Sequence, residues 1–280
     1  MRITIKAHAK INWSLNILAT RDDGYHQLDM LMQSLELCDE LSFENARWLT
    51  LSVDSQSLPV GGRNLVIKAA QALNDYMGQR RGARIQLKKH IPVRAGLGGG
   101  SADCAAALLA LNQLWNLRLT PPALMSIGKT LGADVPFCMT GGLARVGGIG
   151  EDLRPLPAPP RIPLAMVTPG GGLSTARVFR AWDEGGYPVA HADMDALADA
   201  LSRGDLALAQ RLSFNALEAP AVKLLPAVAQ AMDAFTHLGA KFVRMTGSGS
   251  TVFAAFSTPE QAQAAARQVP GAIVTATAGS

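Results

Sequence analysis

The 280-residue chain is poor in aromatic residues, which make up 5% of it, and it holds only three cysteines. With few rings available, aliphatic side chains must fill most of the interior. Cys38, Cys104 and Cys138 are odd in number, widely separated, and in no C-x-x-C or Cys/His cluster. That argues against a disulfide framework or a zinc module and fits a reducing cytoplasm with buried thiols. Long apolar runs are also missing. Uncharged stretches such as Met245 to Pro259 stop at fifteen residues and are broken by Thr, Ser and Gly, short of the roughly 18 needed to span a bilayer. The start of the chain places Arg2, Lys6 and Lys10 in an alternating pattern and has no apolar core of the kind a signal peptide needs. Charged residues are few, at 17%, but 48% of the chain is hydrophobic, which excludes a disordered protein and predicts a folded, soluble one. The net charge of +4 is too weak to imply a nucleic-acid partner by itself.

The length gives a prior of about two domains. Five prolines between Arg154 and Pro163 cannot continue a helix or a central strand, so the boundary is placed there, giving domains 1–154 and 155–280. Residues Lys10 to Ile17 alternate strictly, with Ile11, Trp13, Leu15 and Ile17 on one face and Lys10, Asn12, Ser14 and Asn16 on the other. This predicts a half-buried strand. Thr20 to Gly24 reads as a turn, Leu35 to Phe43 and Leu49 to Val53 as strands, and Asn64 opens a helical apolar pattern. A strand at Ile85 to Leu87, a glycine-rich loop at Pro92 to Ala102 and a helix at Asp103 to Trp115 follow in order. Thr120 caps a helix with proline in its first turn that ends near Gly132. The second half predicts a strand at Ile162 to Val167, helices at Ser174 to Trp182, Asp195 to Leu201 and Val222 to Phe235, paired strands within Phe242 to Phe256, a short helix from Pro259 and a strand at Ala272 to Ala276.

Fourteen of the 27 glycines lie in four clusters, Gly96 to Gly100, Gly141 to Gly150, Gly170 to Gly172, and Gly247 with Gly249. The first opens into a helix, where free N–H groups and the helix dipole favour an anion such as phosphate. Ser101 adds a hydroxyl there. Upstream, no acidic residue occurs between Asp75 and Asp103, while Arg80, Arg81, Arg84, Lys88, Lys89 and Arg94 all do, a local basic field just before the loop. The P-loop signature, the dinucleotide G-x-G-x-x-G and the protein-kinase motif set are absent. His8, His90, His191 and His237 show no metal spacing, so no metal site is assigned and Mg²⁺ is expected only as the companion of ATP.

The segment Pro92-Val-Arg-Ala-Gly-Leu-Gly-Gly-Gly-Ser-Ala-Asp103 resembles the second motif of the GHMP kinases, small-molecule ATP kinases. Met245-Thr-Gly-Ser-Gly-Ser-Thr-Val-Phe253 is similar to their third motif and Ala9-Lys-Ile-Asn-Trp-Ser-Leu15 to their first. Within the superfamily, Gly24-Tyr-His26 and Leu131-Gly-Ala-Asp-Val-Pro-Phe137 resemble the 4-diphosphocytidyl-2-C-methyl-D-erythritol kinases of the non-mevalonate isoprenoid pathway. The resemblance implies an α+β, two-domain GHMP kinase fold, with a ribosomal-S5-like N-terminal domain, a ferredoxin-like C-terminal domain and the active site in the cleft between them. It implies Asp134 as the base that accepts the hydroxyl proton and Lys10 as its catalytic partner. ATP is then expected on Pro92, Val93, Arg94, Ala95, Gly96, Leu97, Gly98, Gly99, Gly100, Ser101 and Ala102, flanked by Asn64, Lys88 and Lys89. Asn12, Tyr25, His26, Thr175 and Phe179 are expected on the substrate, with Tyr25, His26 and Phe179 around its cytosine. Ala102 departs from a serine common in the family, and Arg94-Ala95 replace smaller residues.

Two alternatives stand beside this reading. One is another GHMP kinase, acting on homoserine or mevalonate. The other is a non-catalytic ligand- or RNA-binding module on the same fold, against which the presence of both Lys10 and Asp134 argues, as does the lack of aromatics interleaved in the basic run.

Overall fold

The computed structural model describes residues 2–22, 24–55, 58–150, 152–187 and 191–279. Asp23 of the expected turn lies outside them. The chain forms two compact units that do not follow a single cut. One comprises Met1–Ala9, Leu37–Ile91 and Gly98–Thr140, and the other Lys10–Glu36, Pro92–Leu97 and Gly141–Ser280. Two long strands, β1 (Arg2–Thr20) and β2 (His26–Ala46), contribute residues to both.

In the first unit, β3 (Thr50–Val53) runs parallel to β4 (Gly82–Lys88), which pairs antiparallel with the C-terminal part of β2, Glu40 opposite Lys88 through Ala46 opposite Gly82. The helix between β3 and β4, α1 (Leu65–Met77), begins at Asn64 as expected, whose side chain accepts from the Val66 amide. Its apolar stripe, Val66, Ala69, Ala70 and Leu73, joins Leu41, Phe43, Ile85 and Leu87 of the sheet in one core. α2 (Gly99–Leu114) starts four residues earlier than its helix propensity suggested, inside the glycine run. It is apolar on every side, with Ala105, Ala106, Ala107, Leu108 and Leu111 all buried, because small residues let neighbours approach it all round. α3 (Pro121–Leu131) follows, and then α4 (Val135–Thr140). The residue before a proline favours extended backbone. Instead Val135-Pro136 opens α4, where a proline in the first turn loses no helical hydrogen bond.

In the second unit the N-terminal part of β2 pairs with β5 (Leu143–Gly148), and β5 with β6 (Asp152–Leu156). β6 closes that sheet's edge, which is where its Pro155 can lack an N–H without breaking a ladder. A second sheet has the order β10–β7–β9–β8, from β7 (Pro163–Val167), β8 (Phe242–Met245), β9 (Val252–Ala255) and β10 (Ile273–Ala276), all pairs antiparallel. With helices between β7 and β8 and between β9 and β10, this is the ferredoxin-like arrangement.

The intervening helices are α5 (Thr175–Gly185), α6 (Met194–Ser202), α7 (Leu206–Leu212), α8 (Glu218–Leu224) and α9 (Ala227–His237), and α10 (Pro259–Gln268) precedes β10. The single helix expected over Val222 to Phe235 is broken into α8 and α9. Leu225 stands at φ −146° before Pro226, the extended geometry that proline's ring imposes on its predecessor. Trp13, Phe242 and Phe253 form an aromatic trio with centroids 4.9, 5.4 and 5.5 Å apart, so a few rings anchor what aliphatics otherwise fill.

Candidate active site

The first expectation to change is the polar face of β1. Lys10, Asn12, Ser14 and Asn16 are 5, 2, 1 and 1% exposed, so the strand is buried on both faces and each polar group has found a partner. Asn16 exchanges two hydrogen bonds with the Ala192 backbone, and Ser14 donates to the Phe214 carbonyl. Lys10 Nζ donates to Asn12 Oδ1 at 3.0 Å, and the Asn12 amide donates to Thr246 Oγ1 at 2.9 Å. The first and third motifs therefore meet inside the second unit.

The Gly96 part of the phosphate loop joins them there. The Lys10 amide donates to the Leu97 carbonyl. Gly96 has φ +77°, and a Cβ on it would stand 3.0 Å from the Gly249 carbonyl oxygen and 3.1 Å from that of Thr246, so both its left-handed backbone and its neighbours demand glycine. The Gly170 to Gly172 cluster serves the same loop. Gly172 has φ +104°, and a Cβ there would meet the Arg94 carbonyl at 2.2 Å. Asn215, which no motif marked, ties the third loop down by donating to the Met245 and Gly247 carbonyls at 2.7 and 3.0 Å. Its only sequence signal is a lone amide in an apolar stretch. Thr175 Oγ1 lies 2.9 Å from Ser248 Oγ, so α5 starts against that loop as well.

In the first unit, α2 begins at Gly98 with φ +69° and no side-chain cap. The first N–H groups of a helix have no intrahelical acceptor, and with the dipole they favour an anion. Ala102 N, donating to Gly98 O, makes the first helical bond, so replacing serine by Ala102 removes no backbone donor. Asp134 occupies the N-cap position of α4, its carbonyl accepting from Cys138 N. The turn leading to it packs against α2, since a Cβ on Gly132 would lie 3.5 Å from Ser101 Oγ. Asn64 is committed to capping α1 and to a 2.8 Å bond to the Pro59 carbonyl.

The basic run before the loop is largely spent within its own unit. Arg84 faces Glu44 and Lys88 faces Glu40, each at 3.8 Å, and Arg81 donates to the Trp115 carbonyl. Lys89 is buried. Its ammonium contacts Asp39 and lies 2.8 Å from Asp103 Oδ2. Asp39, fully buried, also accepts from the amides of His90 and Ile91 at 2.6 and 2.9 Å. Burial pushes the Asp103 carboxyl up to about 7 although Lys89 pulls it down, and the neighbouring carboxylates together hold the Lys89 ammonium above its ordinary range despite its own burial. Burial likewise pushes Cys104 up to about 12, the mark of an inert structural thiol.

Around the expected base-binding residues, Tyr25 is 62% exposed, whereas His26 is buried and stacked on Phe179 with centroids 4.7 Å apart. Trp182 meets His26 edge-on, and Asp183 Oδ1 lies 2.7 Å from its Nε2. Neither Trp182 nor Asp183 was singled out from sequence. Among the described residues no group of three or more His, Cys, Asp or Glu side chains could hold a metal ion, and no helix is long and apolar enough to cross a membrane.

The uncapped glycine-rich start of α2 is suited to a phosphate, the group that a small-molecule kinase must hold. Residues 64–142 match the GHMP kinases N terminal domain and residues 197–274 the GHMP kinases C terminal domain. A 4-diphosphocytidyl-2-C-methyl-D-erythritol kinase from Pelotomaculum thermopropionicum is 47% identical over 95% of this chain and 94% of its own. A crystal structure of 4-(cytidine 5'-diphospho)-2C-methyl-D-erythritol kinase is 35% identical, with a TM-score of 0.86 over 99% of this chain and all of that one. A homoserine kinase from Cytophaga hutchinsonii, at 20% identity and a TM-score of 0.72 over 99% of this chain and 95% of its own, shares the fold. The chain belongs to the 4-diphosphocytidyl-2-C-methyl-D-erythritol kinase family of GHMP kinases, ATP-dependent enzymes with a two-domain α+β fold.

Proposed function

We propose that the chain transfers the γ-phosphoryl group of ATP to the 2-hydroxyl of the methylerythritol moiety of 4-diphosphocytidyl-2-C-methyl-D-erythritol. The observation that carries this reading is local to the first unit. The turn leading to Asp134 packs at Gly132 near Ser101, at the uncapped start of α2, which supports a carboxylate-bearing residue working with a helix start that favours an anion. Phosphoryl transfer to an alcohol needs those two elements, a proton acceptor for the hydroxyl and donors on the phosphates. In this reading the acceptor hydroxyl gives its proton to Asp134 as its oxygen bonds to the γ-phosphorus, and the bond to the β,γ-bridging oxygen breaks to leave ADP. Lys10 supplies positive charge to the reacting groups, with Asn12 fixing its direction.

The loop from Pro92 to Ala102 holds the phosphates, and Asn64 and Lys89 shape the nucleotide side through the segments they cap and anchor. Mg²⁺, if it accompanies the triphosphate, would offset its negative charge, and no side chain of the chain is assigned to hold it. Tyr25, His26, Phe179 and Thr175 take the cytidyl side. We assign residues 1–154 to nucleotide binding and 155–280 to the C-terminal family domain, and place the reaction in the cytoplasm on a small molecule, without nucleic acid or membrane.

Incubation with ATP and the diphosphocytidyl alcohol should yield the phosphorylated product. Turnover of homoserine or mevalonate with none of that alcohol would replace the substrate. Asp134→Asn, which keeps a good N-cap on α4, should lower kcat by about 10²- to 10⁴-fold with the unfolding midpoint near wild type. Retained kcat would remove Asp134 from the chemistry.

A further inference from the structure

The imidazole of His26 is held on three sides within the second unit. Phe179 covers one face, Trp182 meets it edge-on with centroids 5.6 Å apart, and Asp183 Oδ1 stands 2.7 Å from Nε2. The ring is 8% exposed while the Asp183 carboxylate is 42% exposed. A carboxylate offers only lone pairs, so the ring nitrogen facing it must carry the hydrogen. In the neutral imidazole the other nitrogen, Nδ1, is then a bare acceptor. Among the described residues the His26 ring makes no hydrogen bond besides that to Asp183. The ring is thus held firmly with one acceptor left unengaged, next in sequence to the exposed Tyr25.

We propose that Asp183 is a specificity-determining positioning residue: by keeping the hydrogen on His26 Nε2 it makes Nδ1 an acceptor, which selects a pyrimidine that presents an amine, cytosine, over one that presents a carbonyl, uracil. This rests on the reading of Tyr25 and His26 as the base-reading pair. Asp183 touches His26 and acts through it. An exocyclic amine donates to Nδ1, whereas the uracil carbonyl would bring two acceptors together, and a polar pairing of this kind discriminates more sharply than shape alone. The Asp183 carboxylate has no sequence link to His26, from which it is separated by 157 residues.

The test compares kcat/KM for the cytidyl substrate and its uridyl counterpart in wild type, Asp183→Asn and Asp183→Ala. An asparagine has the carboxylate's shape but can donate its amide N–H to Nε2, which moves the hydrogen to Nδ1 and makes that atom a donor. The ratio of cytidyl to uridyl kcat/KM should fall by at least about tenfold in Asp183→Asn and less in Asp183→Ala. Nitrogen-15 shifts of the His26 ring should show Nε2 protonated in wild type and a changed tautomer in Asp183→Asn. Equal losses on both substrates with an unchanged tautomer would overturn the proposal and leave Asp183 a structural contact. His26→Ala distinguishes the role of Asp183 from that of His26 itself. A raised KM for the cytidyl substrate in His26→Ala together with an unaltered ratio in Asp183→Asn overturns the role of Asp183 alone, whereas an unaltered KM in His26→Ala overturns the base-reading assignment beneath it.

Discussion

Of the places where an aspartate meets a nitrogen group, those at Lys89 and His26 differ most instructively in burial. In the first unit Lys89 is enclosed by Asp39 and Asp103, and all three side chains are at most 8% exposed. In the second, His26 is as deeply placed but its partner Asp183 stands 42% exposed. The enclosed cluster has two carboxylates for one ammonium and an Asp103 oxygen, Oδ1, with no hydrogen-bond partner among the described residues. Desolvation therefore governs it, and a proton on Asp103 relieves the excess negative charge. At Asp183 water can screen the carboxylate, so the contact is worth little as a stabilising pair and more as a constraint on the ring's direction and tautomer. The same chemical pairing secures the fold in one place and aims a side chain in the other.

The contrast is most severely tested by removing the ammonium. Lys89→Met strands two buried carboxylates and should destabilise the protein by about 3 to 5 kcal/mol, measured by denaturant unfolding. A loss below about 1 kcal/mol, the range of exposed pairs, would show that the cluster is hydrated. Asp103→Asn probes its proton. The folded carboxyl sits at about 7 against an ordinary 3.8, so the native state binds more protons than the unfolded chain between those values. The associated stability is complete below the lower value and is lost as pH rises through the upper one. Relative to wild type, Asp103→Asn should therefore gain stability between about pH 4 and about pH 8, as followed by thermal unfolding across that range. A constant difference would mean that Asp103 stays ionised throughout. The smallest effect is expected at Arg161 and Glu36, a bidentate pair at 2.6 and 2.7 Å whose side chains are 56 and 44% exposed. Glu36→Gln should leave the unfolding midpoint unchanged within error despite good geometry, and a clear drop would show that burial is not what separates strong pairs from weak ones.

Much of the architecture was legible because it is written locally. Period-two alternation located β1 and parts of β2, the Asn64 cap located α1, and paired apolar segments around Thr246 to Ser250 located β8 and β9. Local rules also explain the departures: a proline tolerated in a first turn opened α4, a helix not foreseen, and Pro226 divided one expected helix into two. The candidate site was legible only in part. Lys10 read as a strand lysine with one wet face, but that face is dry because Thr246 and Gly247 cover it from the far end of the sequence. The basic run read as a field prepared for phosphate, yet it is occupied by acids of β2, some forty to fifty residues upstream, and by Asp103, which ends the acid-free stretch.

The sequence alone determined the starts of helices with a clear cap or first-turn proline, such as α1 and α3, and which loops need glycine, since these depend on the φ preference of one residue or on a repeat a few residues long. Tertiary structure decided which charges are neutralised and which polar groups are buried. Those outcomes depend on partners brought in from afar: Lys89 and Asp39 are 50 residues apart, His26 and Asp183 157, and Asn12 and Thr246 234. The cost of an unpaired polar group is set by how much water the folded chain leaves around it, and that quantity exists only once the chain has closed.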